Sequence, residues 1–389
     1  MTLKISILGS TGSIGRSALS IVDKERKKIS INILSANRNY DLIKKQILKY
    51  KPKYFVISDI IIFNKIKKTF KNKKTKVINN FNSFGLNDKS DICISAIPGI
   101  AGLQPTLSLI KITKKILVAN KESIICGWSL IKKESVKYKT KIIPIDSEHF
   151  SILQLLKNHK LDEIKKIYIT ASGGPFLHLK SKQLKNIKPK DALKHPKWKM
   201  GKKISIDSAT LMNKILEIIE AQKLFLIPNN KLEIIIHPNS LVHAIIELKN
   251  GLSKFLYHQT SMIIPLANAI FEENLNIEKF YKIKNNKDNM TNDLKFQKVN
   301  NTIFPIIKIK NRANEYTSTS IIINAANEIL VDRFLQKKIP FLSISKIIMN
   351  ILNDRNYRKY AIKKPKNIFQ IKQIDTWARK LTINKIDNV

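Results

Sequence analysis

The segment LKISILGSTGSIG, residues 3–15, places a strand of buried type directly before a glycine turn. The next residues, Arg16 to Val22, have the spacing of a helix. Glycines in such a turn let the backbone approach a pyrophosphate at the start of the helix, where free N–H groups attract anions. The spacing is GxxGxxG and not GxGxxG, so an ordinary tight turn between a strand and a helix is the alternative.

Strands and helices alternate from this segment onward. The predicted strands after the first are Ile29–Ser35, Tyr54–Ser58, Lys76–Ile78, Asp91–Ala96, the residues up to Val118, and Lys141–Ile145. This alternation predicts an α/β fold with a Rossmann-like, doubly wound parallel sheet. Asn37, Arg38 and Asn39 follow the second strand, where an NAD site usually offers a carboxylate to the ribose. An arginine with amides suits the extra phosphate of NADP, so the sequence favours NADPH.

Acidic residues cluster after the strand at Lys141–Ile145, in the order Asp146-Ser147-Glu148-His149. Residues two apart in an extended chain point the same way, so we expect the carboxylates of Asp146 and Glu148 to converge. Two adjacent carboxylates repel each other unless a proton or a cation separates them. With Glu217 they form an all-oxygen set, which suits Mg²⁺ or Mn²⁺ and not zinc. A cap for the following helix is the alternative.

The segment HPKWKMGKKISIDSATLMNKILE, residues 195–217, predicts a loop, a short strand at Lys203–Ile206 and a helix capped by Asp207 or Ser208. Helical spacing puts Leu211, Ile215, Ile218 and Ile219 on one face, and Thr210, Asn213, Lys214 and Glu217 on the other. A helix start with a serine, an amide and a lysine predicts a phosphate site. Since Glu217 would repel that phosphate, we expect a metal ion between them. An amphipathic surface helix with a Lys214–Glu217 pair is the alternative.

The rest of the chain predicts a lid, a hairpin and a helical end. After a strand at Tyr168–Thr170, the flexible residues 171–201 predict a lid that excludes water, with an unstructured basic connector as the alternative. Residues 232–260 predict two antiparallel strands about the Asn250-Gly251 turn. Residues 277–301, rich in Lys and Asn, predict a linker, and helical spacing covers residues 318–336, 341–352 and 368–383.

These elements predict an N-terminal Rossmann-like domain, an α+β catalytic domain with a lid loop, and a small C-terminal α-helical domain. The predicted divisions are an NADPH-binding domain at residues 1–146, a catalytic metal- and substrate-binding domain at 147–276, a linker at 277–310 and the helical domain at 311–389.

Composition narrows the class of protein. The formal net charge is +42, but the lysines are spread through every segment, so we take the charge as weak evidence and expect no nucleic-acid partner. Two cysteines, Cys93 and Cys126, exclude a disulfide framework and a thiolate metal site, which suits a reducing cytosol. The sequence enters its first strand at once and has no long apolar run, so we expect neither export nor a membrane partner.

Taken together, the motifs resemble those of the 1-deoxy-D-xylulose 5-phosphate reductoisomerase family over nearly the whole length. They are GSTGSIG at 9–15, ANKES at 119–123, DSEH at 146–149, ASGGPF at 171–176, HPKWKMGKKISIDSATLMNK at 195–214, and NAANE at 324–328. The resemblance implies an NADPH-dependent oxidoreductase that makes 2-C-methyl-D-erythritol 4-phosphate for non-mevalonate isoprenoid synthesis. It implies a divalent metal that acts as a Lewis acid, with Co²⁺ as an option besides Mn²⁺ and Mg²⁺. It also implies a homodimer in the bacterial cytoplasm.

The resemblance also assigns roles to residues. NADPH would contact Thr11, Gly12, Ser13, Ile14, Asn37, Arg38, Asn39, Asn120, Glu122 and Gly201. The sugar phosphate would contact Lys121, Ser147, Glu148, Ser172, His195, Ser208, Asn213, Lys214 and Glu217. Asp146, Glu148 and Glu217 would ligate the metal, the catalytic residues would be Lys121, Glu148 and His195, and Trp198 and Met200 would lie on the lid. The chain departs from the family at Pro98 and at residues 259–264, where QTSMII replaces a Pro-Asp-Met-Arg run.

Two other functions are alternatives to the one that the resemblance implies. A plain NADP-dependent dehydrogenase acting on another phosphorylated substrate would keep the nucleotide loop but leave the carboxylates unexplained. A basic nucleic-acid binder is supported only by charge, and salt-sensitive binding of DNA or RNA without NADPH binding would indicate it.

Overall fold

The structure, a computed structural model, describes residues 2–71, 73–82, 84–198, 200–272, 275–282 and 294–387. The chain divides into two compact units. The first unit comprises Met1–Ser123, Trp128–Phe150 and Ser261–Lys284, and the second comprises Ile124–Gly127, Ser151–Thr260 and Asn285–Val389. The chain therefore returns to the first unit after leaving it, and consecutive divisions at residues 146, 276 and 310 do not follow these units. Sequence periodicity identifies helices and strands but does not show which unit a returning segment joins.

The elements are numbered in chain order. The strands are β1 Leu3–Leu8, β2 Ile29–Ala36, β3 Tyr54–Ile57, β4 Lys76–Ile78, β5 Ser90–Ser95, β6 Thr113–Val118, β7 Lys141–Pro144, β8 Ile164–Ala171, β9 Leu232–Ile236, β10 Val242–Leu248, β11 Ser253–Tyr257 and β12 Gln297–Lys298. The helices are α1 Ser13–Lys24, α2 Tyr40–Tyr50, α3 Ile60–Thr69, α4 Leu103–Ile110, α5 Lys121–Tyr138, α6 Ser147–Leu156, α7 Pro189–Ala192, α8 Lys202–Thr210, α9 Met212–Phe225, α10 Ile263–Phe271, α11 Thr319–Leu335, α12 Phe341–Leu352, α13 Tyr357–Ala361 and α14 Ile368–Ile386.

The first unit is built on a parallel sheet in the order β4-β3-β2-β1-β5-β6-β7. Strands such as β1 and β2 are near-continuous runs of buried residues, as expected where helices cover both faces of a sheet. The strand order reverses between β1 and β5. In open α/β sheets, ligands bind beyond the carboxyl ends of the strands at such a reversal. The predicted Rossmann-like fold is confirmed, and this reversal is where the glycine turn lies.

The second unit contains a mixed sheet in the order β11-β10-β8-β9-β12. Strands β10 and β11 pair in antiparallel fashion around the predicted Asn250-Gly251 turn, and Gly251 has a φ of +90°. A largely isoleucine core, including Ile167, Ile169 and Ile218, lies between this sheet and α9. Helices α11, α12 and α14 pack on one another and form the predicted helical end of the chain.

The prediction for residues 203–210 was wrong. Lys203–Ile206 is not a strand, because helix α8 already begins at Lys202, and its N-cap is Gly201 without a side-chain cap. The helix breaks at Leu211, whose backbone is left-handed with a φ of +65°, and α9 starts at the next residue. Alternating Lys, Ile and Ser residues resemble a strand, but here they form a helix with Ser205, Ile206 and Asp207 buried.

The lid and the linker contain short helical turns. Within residues 171–201, 3₁₀ turns span Gly174–Phe176 and Ser181–Asn186, and helix α7 follows. Part of the predicted linker, residues 283–293, lies outside the described residues, and β12 lies just after it. Among the described helices, none has the length and apolar character needed to cross a membrane.

Candidate active site

The glycine turn lies at the reversal of strand order in the first unit. Gly9 has a φ of +79°, and a Cβ added there would lie 2.7 Å from the carbonyl oxygen of Ala96, at the end of β5. A Cβ at Gly15 would lie 2.3 Å from the carbonyl oxygen of Gly9. Helix α1 has Gly12 as its N-cap and no side-chain cap, so its first N–H groups have no capping side chain. The turn is therefore packed as tightly as a pyrophosphate-binding loop requires.

Arg38 lies after β2, at the position predicted to contact the NADP phosphate. Its Nε donates to Asp59 Oδ2 at 2.9 Å, while 80% of the arginine side chain is exposed. Asn39 accepts a hydrogen bond from the Leu42 N–H and so caps α2. Hydrogen bonds from the backbone N–H of Ile62 and from Arg38 lower the pKa of Asp59. Asp59 therefore stays charged and orients the guanidinium.

The side chain of Asn120 is hydrogen-bonded to the loop that follows β5. Its Oδ1 accepts from the Ser123 N–H at 2.6 Å, and its Nδ2 donates to the carbonyls of Gly99, at 2.9 Å, and Ile97. Because the side chain is buried and engaged on both sides, it fixes the start of α5 against this loop. Lys121 follows, also buried, with its Nζ 3.2 Å from Asp146 Oδ2.

Asp146 and Glu148 are not on one face of an extended chain as predicted. Strand β7 ends at Pro144 and α6 begins at Ser147, so the two carboxylates flank a strand-to-helix turn. Asp146 Oδ1 accepts from the Glu148 N–H at 3.3 Å and lies 3.2 Å from His149 Nδ1. Asp146 therefore also caps α6, which was the alternative prediction for this acidic cluster. A side chain just before a helix can accept from the free N–H groups of its first turn.

In the second unit, Ser172 and His195 form a hydrogen-bonded pair, with Oγ and Nε2 2.9 Å apart. His195 Nδ1 accepts from the N–H groups of Lys197 and Trp198, at 3.2 and 2.9 Å. The proton of the neutral imidazole is therefore on Nε2 and is donated to Ser172. Because Ser172 Oγ also accepts from the Gly174 N–H at 3.0 Å, its own proton is available to a ligand.

His195 is kept neutral by its surroundings. Burial, with a contribution from the positive charge of Lys214, lowers its pKa from an ordinary value of 6.5 to about 4. The indole of Trp198 lies edge-on to His243, with ring centroids 6.2 Å apart. The loop is thus held at His195 by the hydrogen bonds of the imidazole and at Trp198 by the ring contact with His243.

Leu211 separates α8, which carries Ser208, from α9, which carries Asn213. The backbone of Leu211 is left-handed, a conformation that costs about 1 kcal/mol in a residue other than glycine. A Cβ at Gly174 would lie 3.1 Å from the carbonyl oxygen of Ser208. The loop that carries Ser172 therefore packs directly on the last turn of α8.

Most of the polar face predicted for the helix is buried, with Asn213 half-buried. Lys214 is 6% exposed and Glu217 is fully buried. Lys214 Nζ donates to Glu217 Oε2 at 2.6 Å, and Asn213 Nδ2 donates to Glu217 Oε1. A buried carboxylate needs such partners, because desolvation otherwise disfavours its charge. One helical turn thus presents an amide, an ammonium group and a carboxylate together.

Three carboxylates can share one cation. Asp146, Glu148 and Glu217 each offer an oxygen atom, and these atoms lie within 4.8 Å of one another. Carboxylates this close repel each other strongly unless a positive charge compensates. An all-oxygen donor set suits a hard divalent ion such as Mg²⁺ or Mn²⁺.

Comparison with known proteins agrees with this picture. Residues 5–127 match the family model for 1-deoxy-D-xylulose 5-phosphate reductoisomerase, residues 142–225 match that for its C-terminal domain, and residues 258–381 match the DXP reductoisomerase C-terminal domain. The 1-deoxy-D-xylulose 5-phosphate reductoisomerase of Pelagibacter ubique (strain HTCC1062) is 49% identical over 380 residues, which cover 96% of this chain and 97% of the relative. The chain belongs to the 1-deoxy-D-xylulose 5-phosphate reductoisomerase family.

Other family members are similar over most of their length. The enzyme of Wolbachia pipientis subsp. Culex pipiens (strain wPip) is 40% identical over 368 residues, which cover 92% of this chain and 91% of the relative. The structure of the Zymomonas mobilis reductoisomerase in complex with NADPH has a TM-score of 0.89 and 30% identity, with 100% of both chains covered. A DOX-P reductoisomerase in complex with NADPH, fosmidomycin and magnesium has a TM-score of 0.88 and 31% identity, covering 99% of this chain and 98% of that one.

Some buried polar residues of this reductoisomerase-family chain were not identified in the sequence analysis. Lys223 of α9 donates to the Ile125 carbonyl and to Ser320, and His258 stacks on His243 with ring centroids 3.7 Å apart. Asn327, within the NAANE motif, contacts α8. A buried lysine in an otherwise apolar stretch is one signal that could have drawn attention to Lys223.

Proposed function

We propose that this chain is an NADPH-dependent reductoisomerase that converts 1-deoxy-D-xylulose 5-phosphate to 2-C-methyl-D-erythritol 4-phosphate. The observation that carries the proposal is the turn with Asn213 and the buried Lys214 and Glu217, beside the Ser172–His195 pair. This turn offers an anion-binding face and a metal-binding carboxylate in adjacent positions, as a rearrangement of a phosphorylated ketone needs. The membership of the chain in the family supports the same reaction.

All but one of the nucleotide contacts that we propose are in the first unit, Gly201 being in the second. Residues 11–14 bind the pyrophosphate through the uncapped N–H groups at the start of α1. Arg38, oriented by Asp59, binds the adenosine phosphate that distinguishes NADPH from NADH. The remaining proposed contacts are Asn37, Asn39, Asn120, Glu122 and Gly201. A relative that has been solved with NADPH supports this choice of cofactor.

The phosphate of the substrate is bound in our proposal by side chains of the second unit. Ser172 donates its hydroxyl proton, since the oxygen already accepts from His195 and Gly174. Ser208, Asn213 and Lys214 supply further donors. His195 is neutral, so it orients Ser172 without adding charge.

The proposed metal ligands are Asp146, Glu148 and Glu217, whose oxygen donors fit Mn²⁺ or Mg²⁺, with Co²⁺ a further option. When bound, such an ion acts as a Lewis acid on the carbonyl and hydroxyl oxygens of the substrate. Lys121, buried and 3.2 Å from Asp146, is in our proposal a proton donor or acceptor at a substrate hydroxyl. Glu148 and Ser147 bind that end of the sugar, and the lid with Trp198 and Met200 excludes water.

We also propose a homodimer in the bacterial cytoplasm. Strand β11 is at the end of its sheet, and Phe255 and Leu252 near it are 50% and 58% exposed. An edge strand with exposed apolar side chains is suited to pair with a second copy of the chain. Sedimentation of wild type and Phe255→Glu tests this, because only the variant should sediment as a monomer.

The function is tested by following NADPH oxidation with 1-deoxy-D-xylulose 5-phosphate and Mn²⁺ or Mg²⁺. We expect turnover that stops with a chelator and returns on addition of metal, and a branched polyol phosphate as product. Oxidation of NADPH with another phosphorylated ketone but not with this one would identify a plain dehydrogenase. Salt-sensitive binding of DNA without NADPH binding would also contradict the proposal.

A further inference from the structure

The NAANE motif, residues 324–328, has no role in the proposed function. It lies on α11, in the helical end of the chain. Glu328 is explained by packing on α14, because Arg379 donates to it and also to Asp375 at 2.7 Å. Asn324 donates to Glu328 within the same helix, at 3.2 Å. These contacts stabilise the helical bundle and leave Asn327 to be explained.

Asn327 makes a buried contact with α8. Its Nδ2 donates to Asp207 Oδ1 at 2.7 Å, and both residues are almost completely buried. Lys203, one turn earlier in α8, donates to the other carboxylate oxygen at 2.8 Å. Asp207 is thus held from two sides, and only Asn327 connects it to another helix among the hydrogen bonds of the described residues.

The position of Asp207 affects the next residue, Ser208. Helix α8 ends two residues later at Thr210, and the left-handed Leu211 interrupts the helix before α9, so the last turn of α8 is not continued as regular helix. A hydrogen bond from a neighbouring helix to a charged, buried carboxylate is among the strong ones, so it fixes the rotation of this turn. Substrate-contacting groups need to be held to within about half an ångström.

We propose that Asn327 is a positioning residue for the sugar phosphate: it holds Asp207 so that the hydroxyl of Ser208 faces the phosphate. The proposal rests on the proposed function, which places the phosphate at Ser208. The C-terminal helices then contribute to substrate affinity through one hydrogen bond, without touching the substrate.

The test compares Asn327→Asp with Asn324→Asp. Both variants add a buried carboxylate to α11 next to an existing one, but only the first faces α8. For Asn327→Asp we expect KM for the sugar phosphate to rise about 10-fold or more, with kcat and the NADPH Kd nearly unchanged. Asn324→Asp should lower the melting temperature without this change in KM. Asn327→Ala, which removes the donor without adding charge, covers the case in which the first variant fails to fold.

A rescue variant separates positioning from general stability. In Asp207→Asn/Asn327→Asp the donor and the acceptor are exchanged, so the hydrogen bond re-forms and KM should recover several-fold. The Kd for inorganic phosphate, measured by calorimetry in the same set, reports on the site without turnover. An inactive wild type would refute the proposed function, while equal changes in phosphate Kd for the variants at 324 and 327, or no recovery in the double variant, would overturn the role of Asn327.

Discussion

Lys223 provides a quantitative test of how the second unit is packed. Its ammonium group donates to the carbonyl of Ile125 at 2.7 Å and to the hydroxyl of Ser320 at 2.9 Å. Ser320 donates to the same carbonyl, which lies two residues before the non-helical Gly127 of α5. Neither partner of the lysine is a carboxylate. Burial therefore dominates and lowers the pKa of Lys223 to about 8.

The lowered pKa has a consequence for stability. A fall from 10.5 to about 8 corresponds to about 3 kcal/mol by which folding disfavours the charged form. The folded state binds fewer protons than the unfolded state between these two values, so stability rises with pH in this window. Between pH 7 and pH 9.5 the gain is about 2 kcal/mol, because most of the native-state proton is lost there.

The assay is urea unfolding of wild type and Lys223→Met at pH 7 and pH 9.5. Methionine has a similar length and no charge, so all other titrating groups cancel in the comparison. We expect the stability of wild type relative to the variant to increase by about 2 kcal/mol at the higher pH. Lys45→Met, at an exposed lysine, controls for the loss of one positive charge. Parallel pH dependences of wild type and Lys223→Met would refute the reasoning.

Three further predictions concern the site. Gly15→Ala should weaken NADPH binding roughly 10-fold or more, because the added Cβ lies 2.3 Å from a carbonyl oxygen. The control Gly85→Ala adds a Cβ with nothing within 4 Å and should bind NADPH as wild type does. Equal NADPH affinities of the two variants would contradict this. The imidazole of His195 should stay neutral in NMR titrations down to about pH 5. Lys214→Met should raise the pKa of His195 only part of the way to 6.5, because burial is the larger cause of its lowering, and a return of the pKa to 6.5 would contradict this. Ser172→Ala should raise KM for the sugar phosphate about 10-fold while the NADPH Kd stays the same, and an unchanged KM would exclude a hydrogen bond to substrate.

The sequence was sufficient for the architecture because its signals are local. Buried strands, the glycine turn and the Asn250-Gly251 hairpin each depend on a few adjacent residues, and all were found where predicted. The helix break at Leu211 was missed because no proline or glycine marks its left-handed backbone. The strand predicted at Lys203–Ile206 was wrong because alternation over four residues cannot distinguish a strand from a buried helix.

The sequence selected candidate site residues but did not show how they are arranged. The residues at 146–149 and 213–217 were selected from their chemistry and from the resemblance to the family. Their burial was not predicted: Glu217 was placed on the helix face opposite the packed one, yet it is fully buried and is hydrogen-bonded to Asn213 and Lys214. Long-range contacts such as Asn327 with Asp207 span 120 residues, and no local pattern reports them.

The most direct test of the central claim is the binding of Mn²⁺ to wild type, Glu217→Gln and Glu220→Gln. Glu220 is buried on the same helix three residues further on, so it serves as a matched control. We predict that Glu217→Gln loses Mn²⁺ affinity about 100-fold or more, together with turnover, and keeps its NADPH affinity. Glu220→Gln should bind the ion as wild type does. Unchanged Mn²⁺ affinity in Glu217→Gln would contradict the assignment of this carboxylate to the metal site.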